Sequence, residues 1–355
     1  MRRIALEKIV PGSILAKTVF DENGRVLLNR GVELNEFYFI RLKENGFTEL
    51  YIEDEISEGI DIKDAICEET RVSARGQIKK LMKSYGTAQT AMNMSTMNKT
   101  LEKIVDELFH SKDMIVNLAD IKSMDDYTFE HCVNVCVLSI IIGIRMGYNK
   151  FRLKELGMGA LLHDIGKLRV PEQVLKKPSQ LTEKEFEEIK KHAGSGYEIL
   201  KKYNSISVVS ACIALTHHER FDGSGYPLGL KGENIHECAR IVAVADVYDA
   251  LTSDRVYRNR LKPHEVIEYI TTVAASHFDK NILEHFVKSI AKYPAGTGVI
   301  LNTGEKGLVV STGRENSSKP VVRVIYDKKG NKLNSYYEID LSEEGNLCVA
   351  ETCDF

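Results

Sequence analysis

Five of the ten histidines in this 355-residue chain fall between positions 131 and 218, and two aspartates join them. The order is His131, His163-Asp164, His192, His217-His218 and then Asp246. Imidazole together with carboxylate suits Fe, Mn or Zn, whereas Mg or Ca sites draw on oxygen ligands alone. A single histidine in a helix is ordinarily structural, so the joint pattern carries the inference. His163-Asp164 is its pivot. A carboxylate beside a ligating histidine can bridge two cations, and two cations clamp a phosphodiester and activate water near neutral pH. On this reading His131, His163, Asp164 and Asp246 hold one ion. Asp164, His192 and His217 hold the other, with His218 as a further ligand.

Three features surround the set. Lys167 follows His163 by one helical turn, where an ammonium can bind a phosphate oxygen or stabilise a leaving alkoxide. The loop Asp222-Gly223-Ser224-Gly225-Tyr226-Pro227 places glycines where backbone must come close or take positive φ. Tyr226 offers a ring to a base, or a hydroxyl to a hydrogen bond. Arg255, Arg258, Arg260 and Lys262 form a basic run after the Asp246 segment. Such runs are usually solvated, but this position favours a phosphate clamp, which arginine makes bidentately.

The separations are of helix length, so separate helices must aim these side chains inward. Thr182 with Glu185 is a capping box ahead of Phe186 and Ile189, which predicts a helix running to His192. The apolar stretch 156–162 predicts a helix leading into His163, with Gly166 as its stop. The stretch 241–251 predicts another, with Asp246 and Asp249 on one face. The longest apolar run, 133–144, is interrupted by Asn134 and Ser139 and falls short of the ~20 residues that span a bilayer. It reads as a buried helix.

Around this helical region the chain divides. Residues 1–55 read as a small α/β module with an Asn23-Gly24 hairpin, a helix from Asn35 to Asn45 and a closing strand at Leu50-Tyr51-Ile52. Residues 56–120 read as a helical connector, with the polar, Met-rich patch 87–100 as a loop. Residues 121–292 read as the helical domain that carries the candidate metal ligands and so as the catalytic domain. Tyr293-Pro294 marks a boundary, and 293–355 read as a β-domain with a hairpin at Lys329-Gly330-Asn331. The expected class is multidomain α+β: an all-α metal-dependent domain flanked by an N-terminal α/β module and a C-terminal β-domain.

Bulk properties narrow the function classes. The net charge of −3 argues against broad binding to a nucleic-acid polymer. Seven scattered cysteines without a CxxC fit neither a disulfide framework nor a zinc ribbon, and suit a reducing cytosol. Cys132 and Cys136 read as small core residues. The first residues lack the apolar run of a signal peptide. The expectation is a cytoplasmic protein without membrane insertion, with the terminal modules as candidate surfaces for protein partners or for a homo-oligomer.

These residues resemble the HD-GYP branch of the HD phosphohydrolases. The resemblance rests on Asp125 to His131, His163-Asp164-Ile165-Gly166-Lys167, His192 with Gly196, His217-His218 through Tyr226-Pro227, and Arg240-Ile241 through Asp246, Asp249 and Arg255. It covers roughly half the chain. It implies an HD-type helical domain holding two or three ions, usually Fe or Mn, that hydrolyses cyclic di-GMP to pGpG and onward to GMP. By motif position it implies His131, His163, Asp164, His192, His217, His218 and Asp246 as ligands and Lys167 as the catalytic lysine. Asp125, Gly225, Tyr226, Pro227, Arg255 and Arg258 would contact substrate. Ala193, Cys132 and Val256 depart from frequent residues of the family, none at a ligand. The three-metal form carries a glutamate one turn before the first histidine; here Tyr127 stands there, so two divalent ions are expected. The competing readings are a catalytically silent cyclic di-GMP sensor or scaffold, and a hydrolase of another cyclic dinucleotide. The intact ligand set ranks the first of these second.

Overall fold

The computed structural model describes residues 1–21, 25–84, 94–110, 115, 127–177, 179–253, 260–313 and 317–353. Two compact units emerge. One gathers Met1–Asp64, Ile115–Tyr127 and Ile290–Phe355; the other comprises Ala65–Met114 and Thr128–Ser289.

In the first unit, β1 (Arg2–Ala5), β2 (Ile14–Leu15) and β5 (Glu49–Glu53) form an antiparallel sheet in the order β1-β5-β2. β3 (Val19–Phe20) pairs with β4 (Val26–Leu28), and α1 (Glu36–Glu44) is capped by the Asn35 side chain, which accepts from the Tyr38 amide. The expected helix and closing strand are therefore present; residues 23 and 24 of the expected hairpin lie outside the described residues. From the other end of the chain come β6 (Gly298–Leu301), β7 (Lys306–Ser311), β8 (Val321–Tyr326), β9 (Lys332–Asp340) and β10 (Val349–Cys353). They make an antiparallel sheet in the order β10-β6-β7-β8-β9. Gly330 turns the β8–β9 hairpin with φ +83°. β10 is an addition to the sequence reading, since Val349-Ala350-Glu351-Thr352-Cys353 has little of the apolar alternation that marks a strand. The two ends of the chain share a core: Ala16, Tyr51, Ile60 and Ile62 pack in one cluster with Leu308 and Ile325.

The second unit is helical. It runs α2 (Glu68–Ser84), α3 (Met94–His110), α4 (Tyr127–Arg145), α5 (Lys150–Leu161), α6 (Glu172–Leu175), α7 (Glu183–Leu200), α8 (Val208–Thr216), α9 (Glu237–Thr252), α10 (Pro263–Thr271) and α11 (Lys280–Ser289). α4 is buried along most of its length, as a central helix must be. Its window Thr128–Arg145 is long and apolar enough to cross a membrane, with mean hydropathy 1.4, but 78% of it is buried inside the protein. Cys132 and Cys136 are free and buried within it. The capping box at α7 is made as expected: the Glu185 amide donates to Thr182 Oγ1 at 3.3 Å, and the Thr182 amide donates to Glu185 Oε2 at 2.7 Å.

Two local readings are corrected. The patch 87–100 is not a loop from residue 94 onward. Met94, Met97 and Thr100 are buried on α3, where their 3-residue spacing makes an apolar face that polar neighbours disguise in sequence; residues 87–93 lie outside the described residues. Gly166 does not stop a helix either. α5 ends at Leu161, and Gly166 lies inside a 3-10 turn, Ile165–Arg169. A Cβ on Gly166 would sit 1.9 Å from the His192 carbonyl oxygen and 2.5 Å from the Gly196 nitrogen. The glycine is there because this turn and α7 meet backbone to backbone.

Candidate metal centre

The site is built where these elements converge. α4 supplies His131, the turn after α5 supplies His163 and Asp164, α7 supplies His192, the end of α8 supplies His217 and His218, and α9 supplies Asp246. All but His218 are buried. Their ligating atoms fall into three overlapping groups, each within 4.8 Å: Asp164, His192, His217 and His218; His131, His163 and Asp164; and His163, His217 and Asp246. Asp164 lies in two of these groups, with Oδ1 3.5 Å from His192 Nε2 and Oδ2 3.4 Å from His163 Nε2. Asp246 Oδ1 lies 3.0 Å from His131 Nε2, and its Oδ2 lies 3.7 Å from His218 Nδ1.

The imidazoles are oriented from behind. His163 Nδ1 donates to the Ala160 carbonyl at 2.7 Å, His192 Nδ1 to the Ile189 carbonyl at 2.7 Å, and His217 Nδ1 to the Ala214 carbonyl at 3.0 Å. Each bond fixes the tautomer with an unprotonated Nε2 facing inward, as metal ligation requires. His131 is held differently: its Nδ1 donates to Asp249 Oδ2 at 2.8 Å. Asp249 was placed on the Asp246 face by the sequence but given no role there. The 3-residue spacing on an apolar helix was the available signal, and the partner 118 residues away could not be read from it.

A cation fits this pocket. Among the described residues, His163 Nε2 and Asp164 Oδ1 are buried with no hydrogen-bond partner. His192 Nε2 and His217 Nε2 face each other at 3.3 Å although both rings already donate through Nδ1. Two lone pairs in apposition beside a bare carboxylate oxygen are an arrangement that a positive ion resolves.

Electrostatics agree. Burial and the neighbouring imidazoles push His217 well below its ordinary value; burial likewise lowers His192, and brings His218 down to about 3. For His131, burial works against the charged form, but hydrogen bonds to Asp246 and Asp249 outweigh it and raise the value to about 9. Asp164 is buried, but the Lys167 ammonium and His163 hold its carboxyl well below the usual range. Lys167 Nζ lies 2.5 Å from Asp164 Oδ2, and the pairing raises the lysine above its normal value despite burial.

The glycine loop closes one side. Glu219 is buried, and its carboxylate accepts from the Leu228 amide at 2.6 Å and the Leu230 amide at 3.0 Å, pinning the chain just after Pro227. A Cβ on Gly225 would lie 2.3 Å from the Arg220 nitrogen, so the loop folds back tightly enough to exclude any side chain there. Tyr226 is delivered onto His218, ring to ring at 4.7 Å and 29°. One face of Tyr226 is thus covered. Phe186 stands edge-on to it at 6.5 Å, with Lys190 Nζ 5.4 Å from the tyrosine ring centre. Asp125, Arg255 and Arg258 lie outside the described residues, as does the side chain of Tyr127.

Residues 114–282 match the HD domain family, and residues 298–355 match the family described as a KOW domain associated with HD domain. Residues 114–282 of this chain are an HD domain. Among curated relatives, a cyclic di-GMP phosphodiesterase of Pseudomonas aeruginosa is 33% identical over 255 residues, 72% of this chain and 61% of that protein. A cyclic di-GMP phosphodiesterase of Thermotoga maritima is 40% identical over 195 residues, 53% of each chain. A 3'3'-cGAMP-specific phosphodiesterase of Vibrio cholerae is 36% identical over 190 residues, 53% of this chain and 43% of that protein. The chain thus spans between about two fifths and three fifths of the length of these relatives. Among solved structures, an HDG"Y"P protein from Bdellovibrio bacteriovorus superposes with a TM-score of 0.53 at 18% identity, covering 80% of this chain and 97% of that one, which speaks to the fold. The HD domain is thus the helical scaffold, and its His/Asp cluster is placed to hold metal.

Proposed function

We propose that this HD-domain protein hydrolyses cyclic di-GMP to pGpG and onward to GMP at a centre of two divalent ions, Fe or Mn. The carrying observation is the position of Asp164 between two groups of histidine nitrogens, with one carboxylate oxygen left bare. His131, His163, Asp164 and Asp246 would hold one ion; Asp164, His192 and His217, with His218, would hold the other. Bound there, the ions supply Lewis-acid neutralisation of phosphoryl oxygens and bring water within reach of deprotonation near neutral pH.

The remaining work belongs to the chain's own side chains. Lys167 stays cationic beside Asp164 and donates to a phosphate oxygen as charge builds there. The pinned loop Gly225-Tyr226-Pro227 would present the tyrosine to a nucleotide, with Asp125, Arg255 and Arg258 as the further substrate contacts. Tyr127 at the position one turn before His131 offers no carboxylate, and Glu130 is engaged by Arg71 at 2.7 Å, so neither adds a ligand for a third ion. The names of the Pseudomonas and Thermotoga relatives support cyclic di-GMP; the Vibrio relative supports 3'3'-cGAMP as the alternative substrate. Full-length protein reconstituted anaerobically with Fe or Mn, then given each dinucleotide and resolved by chromatography, tests the reading. Linear pGpG or GMP from cyclic di-GMP is expected. Unchanged substrate with both metals would refute it.

A further inference from the structure

A chain of buried polar side chains runs from α2 to the metal centre. Arg71 Nη1 donates to Glu130 Oε1 and to Asn134 Oδ1, both at 2.7 Å. Asn134 Nδ2 donates to Asp249 Oδ1 at 2.8 Å, and Asp249 Oδ2 accepts from His131 Nδ1 at 2.8 Å. Arg71, Glu130, Asn134, Asp249 and His131 are all 5% exposed or less. Buried ions are rarely the cheapest way to fill a core, and apolar residues of similar volume often serve stability as well. This network ends instead on a histidine that faces Asp246 and Asp164. Arg71 also lies outside the segment 114–282 that matches the HD domain.

We propose that Arg71 is a positioning residue for the metal centre, acting through the amide of Asn134. The inference rests on the metal-binding reading above. An asparagine amide has a donor end and an acceptor end, and its neighbours decide which way it points. Arg71 has only donors, so it takes the oxygen of Asn134 and turns the Nδ2 group toward Asp249. Asp249 then accepts from Asn134 with one oxygen and holds the Nδ1 proton of His131 with the other, which leaves Nε2 as the inward-facing atom. Without Arg71 the amide can reverse, offering its nitrogen to Glu130 and its oxygen to the Asp249 carboxylate. That apposition repels, and the orientation of His131 loosens. α2 therefore sets the quality of a ligand it never touches.

The test compares Mn²⁺ affinity by calorimetry in metal-stripped full-length protein carrying Arg71→Met, Arg71→Lys, Asn134→Leu, or Arg71→Met with Asn134→Leu. Arg75 Nη1, 3.7 Å from Glu130 Oε2, leaves that carboxylate a cation in the Arg71→Met protein. Arg71→Met and Asn134→Leu are each expected to weaken Mn²⁺ binding about tenfold. Arg71→Lys, still a pure donor, is expected to recover most of the loss. The double variant is expected to be no weaker than Asn134→Leu alone, because Arg71 acts only through that amide. Unchanged affinity in Arg71→Met, or losses that multiply in the double variant, would overturn the relay while leaving the metal centre intact. Should Arg71→Met not fold, unchanged affinity in Asn134→Leu overturns it equally. No Mn²⁺ bound by the unmodified chain would remove the metal centre itself, and the relay with it.

Discussion

The two sides of the metal centre are held by different means. His163, His192 and His217 each donate through Nδ1 to a backbone carbonyl three residues earlier, so local helix and turn geometry orients them. His131 is instead oriented by a carboxylate on another helix, which Asn134 ties to Arg71 on a third. The first arrangement is as rigid as the backbone. The second is polar, non-local and adjustable. The contrast also divides the protonation states, since burial keeps the carbonyl-held rings His192 and His217 neutral while two carboxylates keep a proton on His131 to about 9.

Asp164→Ala is the most severe way to break this comparison, because that carboxylate serves both sides. Turnover is expected to fall to background, with metal content measured by mass spectrometry falling in parallel; retention of two ions would show that each side holds its ion independently. Next is Gly166→Ala, aimed at the carbonyl-held side. The new methyl would meet the His192 carbonyl at 1.9 Å, so the turn bearing His163-Asp164 must part from α7. A loss of about 3 kcal/mol is expected in urea unfolding of the metal-free protein, at the upper end for overpacking. A loss under about 1 kcal/mol would mean the joint has slack that the comparison denies it.

The gentlest probe is pH, which sharpens the comparison without mutation. A ligand must be deprotonated to bind, so the proton on His131 competes with metal on the carboxylate-held side alone. Its value is raised, hence the proton is lost and binding strengthens as pH rises. Between pH 7 and about 9, affinity for one ion should rise by roughly tenfold per pH unit, while the site built on His192 and His217 stays flat. Mn²⁺ titrations across that range give the slopes; equal slopes for both ions would end the distinction.

The same division explains what the sequence made legible. The ligand-type residues stood out because His and Asp at helix-length spacing on apolar segments are rare together. The capping box at Thr182 and the apolar stretches placed four of the helices that bear them, since those signals are local. Asp249 stands in the motif but without a role, and Arg71 reads as an ordinary charged residue, until a partner 118 or 63 residues away is known. Gly166 was read as a helix stop because sequence shows that a glycine is needed but not which backbone it must admit. Met94 and Met97 were lost in a polar stretch because two methionines among serine, threonine and asparagine do not announce a helix face.

The shared core at the chain's two ends has a consequence in time. Ala16, Tyr51, Ile60 and Ile62 are synthesised early, yet Leu308 and Ile325, which cover them, emerge only after the entire helical unit has been made. The earlier-made residues must therefore keep an apolar face waiting through more than two hundred residues of translation. During that interval the apolar face is open to misassociation, and the shared core closes only once β7 and β8 have been made.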